Sequence, residues 1–180
     1  MTSIKTFLWS LYYIISSCLI KRNPKWWAFG SWVGNAYSDN SKYLLEVALS
    51  EIKDPDYRFY WVGNEKIMDQ LPSDERVIFL QLNSKKSYGI LLRCMYFWAT
   101  QFPSADISRY NVFHRGKIIF LDHGIPIKKY GTDVVTSAGK KYTDIFRQIT
   151  GATRKFDYQI ASSPLHAEAN ASGYGYMGVK

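Results

Sequence analysis

From Pro24 onward, short uninterrupted apolar runs alternate with stretches patterned at helical spacing, and this alternation leaves few architectures open. A strand that is apolar on both sides must be covered on both sides, and helices threaded between such strands achieve that around a mostly parallel sheet. The runs predict strands over residues 26–30, 58–62, 77–82, 117–121 and 158–161. Helical patterns fall at about 40–52, 84–101, 133–149 and 164–172. The second of these contains KKSYGILLRCMYFWATQF, which is apolar almost all round, as a helix buried in a core would be. Residues 54–57 read as a turn, and no internal repeat or low-complexity linker interrupts the pattern. The expected fold is α/β, a Rossmann-like, mostly parallel sheet over residues 23–180, preceded by a separate helix over residues 1–22.

That first helix raises the question of a membrane. Residues 4–20 are strongly apolar and are closed by Lys21, Arg22, Asn23 and Pro24. At helical spacing Ile4, Phe7, Leu8, Leu11, Ile14, Ile15, Cys18 and Leu19 share one face, while Lys5, Thr6, Ser10, Tyr13, Ser16 and Ser17 lie mostly on the other. The run is shorter than the roughly 20 apolar residues a spanning helix needs. Ser16-Ser17-Cys18 is a poor cleavage site, and a Lys-Arg pair rarely follows one, so a signal peptide is disfavoured. Two readings stay open: a helix lying in the membrane surface, or one docked on the domain core. The net charge of +8 is concentrated after residue 82, and Lys5, Lys21, Arg22 and Lys25 precede the first acid, Asp39. Such a balance favours anionic partners, a phospholipid surface or a phosphorylated substrate. Without zinc-finger spacing or an RNA-binding aromatic motif, nucleic acid is not expected as a partner. The two cysteines, Cys18 and Cys94, stand in apolar stretches far apart, as buried reduced thiols would.

Ligands of open α/β sheets collect at the carboxyl ends of strands, which directs attention to two transitions. In WWAFGSWVGNAYSDNSKYLLE, Gly30 and Gly34 loosen a loop that feeds a helix start, where Ser38 or Asp39 can cap. The segment is either a plain N-cap or an anion site built on free backbone N–H groups. Neither a dinucleotide fingerprint nor a P-loop is present. In GKIIFLDHGIPIKKYGTD, a buried strand opens into Asp122-His123-Gly124, and Lys128 and Lys129 follow. An imidazole there can take a hydroxyl proton near neutral pH, while lysines or the amides around Gly124 neutralise phosphate oxygens. Asp122 can orient the ring or merely solvate the loop, and the histidine can equally be a hydrogen-bonded structural residue. His114 and His166 read as surface or capping residues. No pair of His, Cys or carboxylates shows metal-ligand spacing, and no cofactor is expected.

With these segments in view, the chain resembles the CDP-glycerol:poly(glycerophosphate) glycerophosphotransferase family, the teichoic-acid primases and polymerases with relatives in capsule and lipopolysaccharide synthesis. The resemblance rests on Phe29-Gly30-Ser31-Trp32 with Tyr37-Ser38-Asp39-Asn40-Ser41-Lys42-Tyr43-Leu44, and on His123-Gly124-Ile125-Pro126-Ile127-Lys128-Lys129-Tyr130-Gly131. A weaker match is Asp157-Tyr158-Gln159-Ile160-Ala161-Ser162-Ser163. It implies the N-terminal half of a two-domain GT-B-type fold, peripheral association with the cytoplasmic face of the membrane, and transfer of glycerol phosphate from CDP-glycerol to a lipid-linked or polymeric acceptor with release of CMP. It also implies His123 as the base, Gly30, Asp39 and Asn40 on the acceptor side, and Gly124, Lys128 and Lys129 near phosphate. Two positions depart from the family pattern: Asp122 stands where an aromatic residue is usual, and Phe120 where glutamine is. The family's nucleotide-binding half would fall beyond Lys180, so the chain is expected to be cut short of it and inactive alone. A GT-B glycosyltransferase and a non-catalytic membrane-surface module are the alternatives.

Overall fold

The computed structural model describes residues 4–124 and 156–174. Helix α1 (Ile4–Leu19) leads into strand β1 (Asn23–Gly30), a 3-10 turn (Trp32–Gly34) and helix α2 (Asp39–Glu51). Then follow β2 (Arg58–Gly63), a 3-10 turn (Glu65–Gln70), β3 (Val77–Gln81), α3 (Lys85–Leu91) and β4 (Cys94–Ala99). A short α4 (Pro103–Asp106), β5 (Lys117–Phe120), β6 (Tyr158–Gln159) and α5 (Pro164–Tyr174) complete the described elements. The six strands form one sheet in the order β3-β2-β1-β4-β5-β6, and every pairing is parallel. The α/β expectation holds, and the strand order reverses between β1 and β4.

Parallel pairing leaves both faces to be covered, and the strands show it residue by residue. Ala28, Tyr60, Val62 and Phe97 belong to the core on one face, while Phe29, Phe59 and Trp61 meet Leu45 and Ala48 of α2 on the other. Phe29 is in register with Trp61 on one side and Trp98 on the other. Its ring lies at 6.2 Å and 4° from Trp61 and at 6.3 Å and 16° from Trp98. Stacked pairs of this kind add to the burial of their area, and they account for part of the high aromatic content.

One expected helix is a helix and a strand. The pattern over 84–101 covers α3, which ends at Leu91, and β4, which begins at Cys94. The Leu92-Arg93 turn between them is closed by the Arg93 N–H on the Ile90 carbonyl at 2.9 Å. Tyr96, Phe97 and Trp98 are good strand residues, and neighbours on both sides, β1 and β5, satisfy the backbone of β4. An apolar run without polar interruptions does not distinguish the two states, and pairing decided. The segment is core, as expected, but as a central strand. The helix expected over 133–149 lies outside the described residues.

Helix α1 is turned contrary to its polarity. Ser10, Tyr13 and Ser17 are its buried positions, whereas Ile4, Leu8, Tyr12, Ile15 and Leu19 are exposed. The small hydroxyl face allows close approach: Ser10 Oγ accepts the Asn111 N–H at 3.2 Å, and Tyr13 packs on Tyr88 and Tyr110 at 5.0 and 5.7 Å between ring centroids. Arg115 closes the far end by donating to the Cys18 carbonyl at 2.9 Å, a cation at a helix C-terminus. Cys94 is buried as expected, but Cys18 is exposed.

The basic residues at the α1–β1 junction also separate. Lys25 pairs with Asp54 at 2.8 Å and Asp56 at 3.0 Å, and Arg22 is buried, so of the four early cations Lys5 and Lys21 are the exposed ones. The Arg22 guanidinium donates to the carbonyls of Leu91 at 3.3 Å and Val112 at 2.7 Å, and also to those of Cys94 and His114. It lies 5.4 Å from the Phe97 ring centroid. One side chain thereby ties the start of β1 to the start of β4 and to the segment before β5. Arg22→Ala strands these carbonyls in the interior and is expected to cost at least about 3 kcal/mol in urea denaturation, with Arg22→Lys recovering part of it.

Candidate functional site at the carboxyl edge of the sheet

Where strand order reverses in an open α/β sheet, connections leaving neighbouring strands in opposite directions generally open a crevice above their carboxyl ends, and here that point falls between β1 and β4. On the β1 side, three consecutive residues have left-handed backbone: Trp32 at φ 45°, Val33 at 56° and Gly34 at 73°. For a β-branched residue such as Val33 this conformation is strained. The Val33 N–H is held by Asp106 Oδ1 at 2.9 Å. The other oxygen, Oδ2, accepts the N–H groups of Thr100 at 3.1 Å and Gln101 at 2.8 Å, which leave the end of β4. Asp106 is fully buried. It therefore joins the loops on both sides of the reversal.

Gly30 has a packing role here. A Cβ on it would lie 2.5 Å from the Asp106 carbonyl oxygen and 2.8 Å from Ile107 Cγ1. The residue lets α4 close down on the end of β1, so it shapes the crevice from beneath and does not loosen the loop. Ser38 stands at the N-cap of α2 without a side-chain cap. Asp39, at φ 65°, accepts the Asn40 N–H at 2.9 Å. Asn40 then reaches across to the other segment, donating through Nδ2 to the carbonyls of Leu121 at 3.0 Å and Asp122 at 2.8 Å. The two transitions singled out from sequence thus meet at one edge.

His123 lies beyond the end of β5, with its side chain 51% exposed. Its Nδ1 is 3.1 Å from the Thr100 carbonyl and 3.6 Å from Asp122 Oδ1. A carbonyl only accepts, so in the neutral ring Nδ1 carries the proton and Nε2 presents its lone pair. The Trp32 ring stands 6.5 Å away, centroid to centroid. The group that orients the imidazole is Thr100 at the end of β4, and Asp122 does not hydrogen-bond the ring. Asp122 is occupied elsewhere: His166 Nε2 lies 2.9 Å from its Oδ2. His166, read from sequence as a surface or capping residue, is buried, and its Nδ1 accepts the Ser162 N–H just ahead of α5. Gly124 follows at φ 136°, with open space where a side chain would be. Lys128 and Lys129 lie outside the described residues.

Asp106, Thr100, His166 and Asn170 were not foreseen. Asp106 sits in FPSADISRY, which carries no motif, and Thr100 acts through its backbone, which no side-chain pattern reports. Among the described residues, no group of three or more His, Cys, Asp or Glu is placed to hold a metal ion. A recess of about 490 Å³ exists at the opposite edge, lined by Asn23, Lys25, Trp26, Asp56, Arg58 and Tyr60. Its Lys25 is already engaged by Asp54 and Asp56, and it lies at the amino ends of the strands, away from the reversal. The carboxyl edge is the better candidate on both counts.

Comparison with known proteins identifies the family profile and the fold. The profile of a family described as CDP-Glycerol:Poly(glycerophosphate) glycerophosphotransferase matches residues 11–178. The fold is similar to that of the wall teichoic acid polymerase TagF, with a TM-score of 0.69 and 21% identity over 95% of this chain and 40% of that one. A histidine-to-asparagine variant of TagF with CDPG after a 30 minute soak gives 0.66 and 21% over 92% of this chain and 41% of that one. A histidine-to-alanine variant gives 0.65 and 22% over 96% and 45%. The chain therefore spans less than half the length of the solved structures it matches, and at this identity the likeness establishes the fold. No curated protein matches the chain.

Burial raises the Asp106 carboxyl above its ordinary 3.8, against the pull of the Val33, Gln101 and Thr100 amides. The folded chain then keeps a proton that the unfolded chain has released, so stability falls as pH rises from the ordinary value through the raised one. Asp106→Asn is expected to abolish that slope in urea titrations across the acidic range. It also turns an amide against N–H donors, with a loss of about 1–3 kcal/mol above the window.

Proposed function

The chain belongs to the CDP-glycerol:poly(glycerophosphate) glycerophosphotransferase family, and on that premise we propose that it serves transfer of glycerol phosphate from CDP-glycerol to a hydroxyl of a lipid-linked or polymeric surface acceptor. The observation that carries the reading is the state of His123: Nδ1 committed to the Thr100 carbonyl, Nε2 with no hydrogen-bond partner among the described residues, and the ring half exposed at the strand-order reversal. In the proposed step Nε2 takes the acceptor hydroxyl proton as the oxygen bonds to the β-phosphorus of CDP-glycerol. The bond from that phosphorus to the bridging oxygen breaks, and CMP leaves with the electron pair. Asn40 and Asp39 stand on the acceptor side, and Lys128 and Lys129 are assigned to the phosphate. Residues 23–180 are taken as the acceptor-side domain.

The same reading sets the protein peripherally on the cytoplasmic face of the membrane. Among the described residues no helix is long and apolar enough to cross a bilayer. The apolar side of α1 nevertheless faces outward, and Lys5 and Lys21 near its two ends are exposed. A helix so arranged can bury its apolar side at the headgroup boundary while its lysines meet anionic lipid.

Two measurements test these assignments. Membranes from cells expressing a longer form, in which the chain is joined to a nucleotide-binding half of the family, are supplied with radiolabelled CDP-glycerol, and His123→Ala is expected to lower polymer labelling by about 10²–10⁴-fold. Undiminished labelling by the variant removes the base assignment. In flotation with anionic vesicles, Leu8→Glu with Ile15→Glu is expected to abolish binding without loss of thermal stability, since both side chains are exposed. Equal flotation of both forms removes α1 from the membrane.

A further inference from the structure

We propose that His166 and Asn170 of α5 are positioning residues for His123 and act on it through the carboxylate of Asp122. The proposal takes its purpose from the reading of His123 as base, but its geometry stands independently. Asp122 has left-handed backbone, φ 57°, and its side chain is 8% exposed. Each of its oxygens has a separate duty. Oδ1 accepts the N–H of His123 at 2.7 Å. Oδ2 receives His166 Nε2 at 2.9 Å and Asn170 Nδ2 at 2.7 Å. Its backbone carbonyl is held by Asn40 at 2.8 Å. The residue just before His123 is therefore fixed by α2 through its backbone and by α5 through its side chain.

The tautomer of His166 follows from its other nitrogen. Nδ1 accepts the Ser162 N–H at 3.2 Å, so in the neutral ring Nε2 carries the proton and donates it to Asp122. Ser162 Oγ also lies 3.2 Å from Nδ1, which gives a serine–histidine–aspartate succession. It is not an activated nucleophile, because the backbone N–H already occupies the lone pair that would take the serine proton. What the succession does is orient. His166 and Asn170 are both buried, and a carboxylate held by two buried donors on one oxygen has little freedom to turn the other. Oδ1 thus keeps the His123 N–H, and with it the placement of the ring at 3.1 Å from the Thr100 carbonyl. An aromatic residue at position 122 could not accept these bonds.

The test reads the rings directly and needs no donor substrate. The chain is labelled with ¹⁵N-histidine and long-range ¹H–¹⁵N correlations are recorded at a pH where the rings are neutral. Wild type is expected to show His166 protonated at Nε2 and His123 at Nδ1. In His166→Phe, and to a smaller degree in Asn170→Leu, the wide separation of the two His123 ring nitrogens is expected to narrow as the single tautomer is lost. His166→Gln, which can return an N–H to Oδ2, is expected to restore it. Either folded variant with unchanged His123 resonances overturns the proposal, and so does a wild-type His166 protonated at Nδ1, which decides the matter even if a variant fails to fold. A tautomer shift in His166→Phe alongside undiminished transfer by His123→Ala would sustain the coupling and dismiss the base.

Discussion

Two loops have to be kept in fixed relation for a crevice to persist where the strand order reverses, and here one buried carboxylate holds both. Asp106 takes the Val33 amide from the β1 side and the Thr100 and Gln101 amides from the β4 side. Hydrogen bonds to an ionisable acceptor are stronger than neutral ones, and three of them offset the left-handed backbone of Trp32 and Val33. The same fixation sets the Thr100 carbonyl, to which the His123 ring is tied. A chain of cause thus runs from a side chain with no exposure to an imidazole with half of its surface in solvent. Gly30 belongs to this arrangement, since any side chain there would push α4 and its aspartate away from the strand.

Much of the architecture was legible because it depends on period and length. Continuous apolar runs located β1, β2, β3, β5 and β6 to within a few residues, and the Asn40 and Pro164 regions were read as helices. The strand β4 was not, because Cys94–Ala99 follows α3 after a two-residue turn and carries no Gly or Pro between them. Its neighbours in the sheet, and not its local pattern, make it a strand. Sequence also singled out His123 by its type and strand-end position, and the family resemblance singled out Asn40, which the structure brings to the same edge. The groups that hold them stayed hidden for a common reason. Thr100 works through a carbonyl, Asp106 through backbone amides, one of them 73 residues away, and His166 through a partner 44 residues away. Such contacts are made by topology and leave no spacing behind.

In helix α1 periodicity separated the two faces but did not say which of them docks. Its apolar stripe suggested either a lipid surface or the domain core, and the core contact is made by serines and one tyrosine. Small hydroxyl side chains allow close approach and satisfy backbone groups, as Ser10 does for Asn111. The docked face is thus the less apolar one, and the opposite face carries the hydrophobic area.

The placement of the two thiols turns the chain into its own folding gauge. Cys18 stands exposed near the end of α1, while Cys94 is sealed in the central strand and burial pushes its thiol up, away from the reactive thiolate. An alkylating reagent should therefore add one equivalent to the native molecule. A second equivalent can enter only when β4 parts from its neighbours, so counting modified sulfurs over time reports how often the middle of the sheet opens.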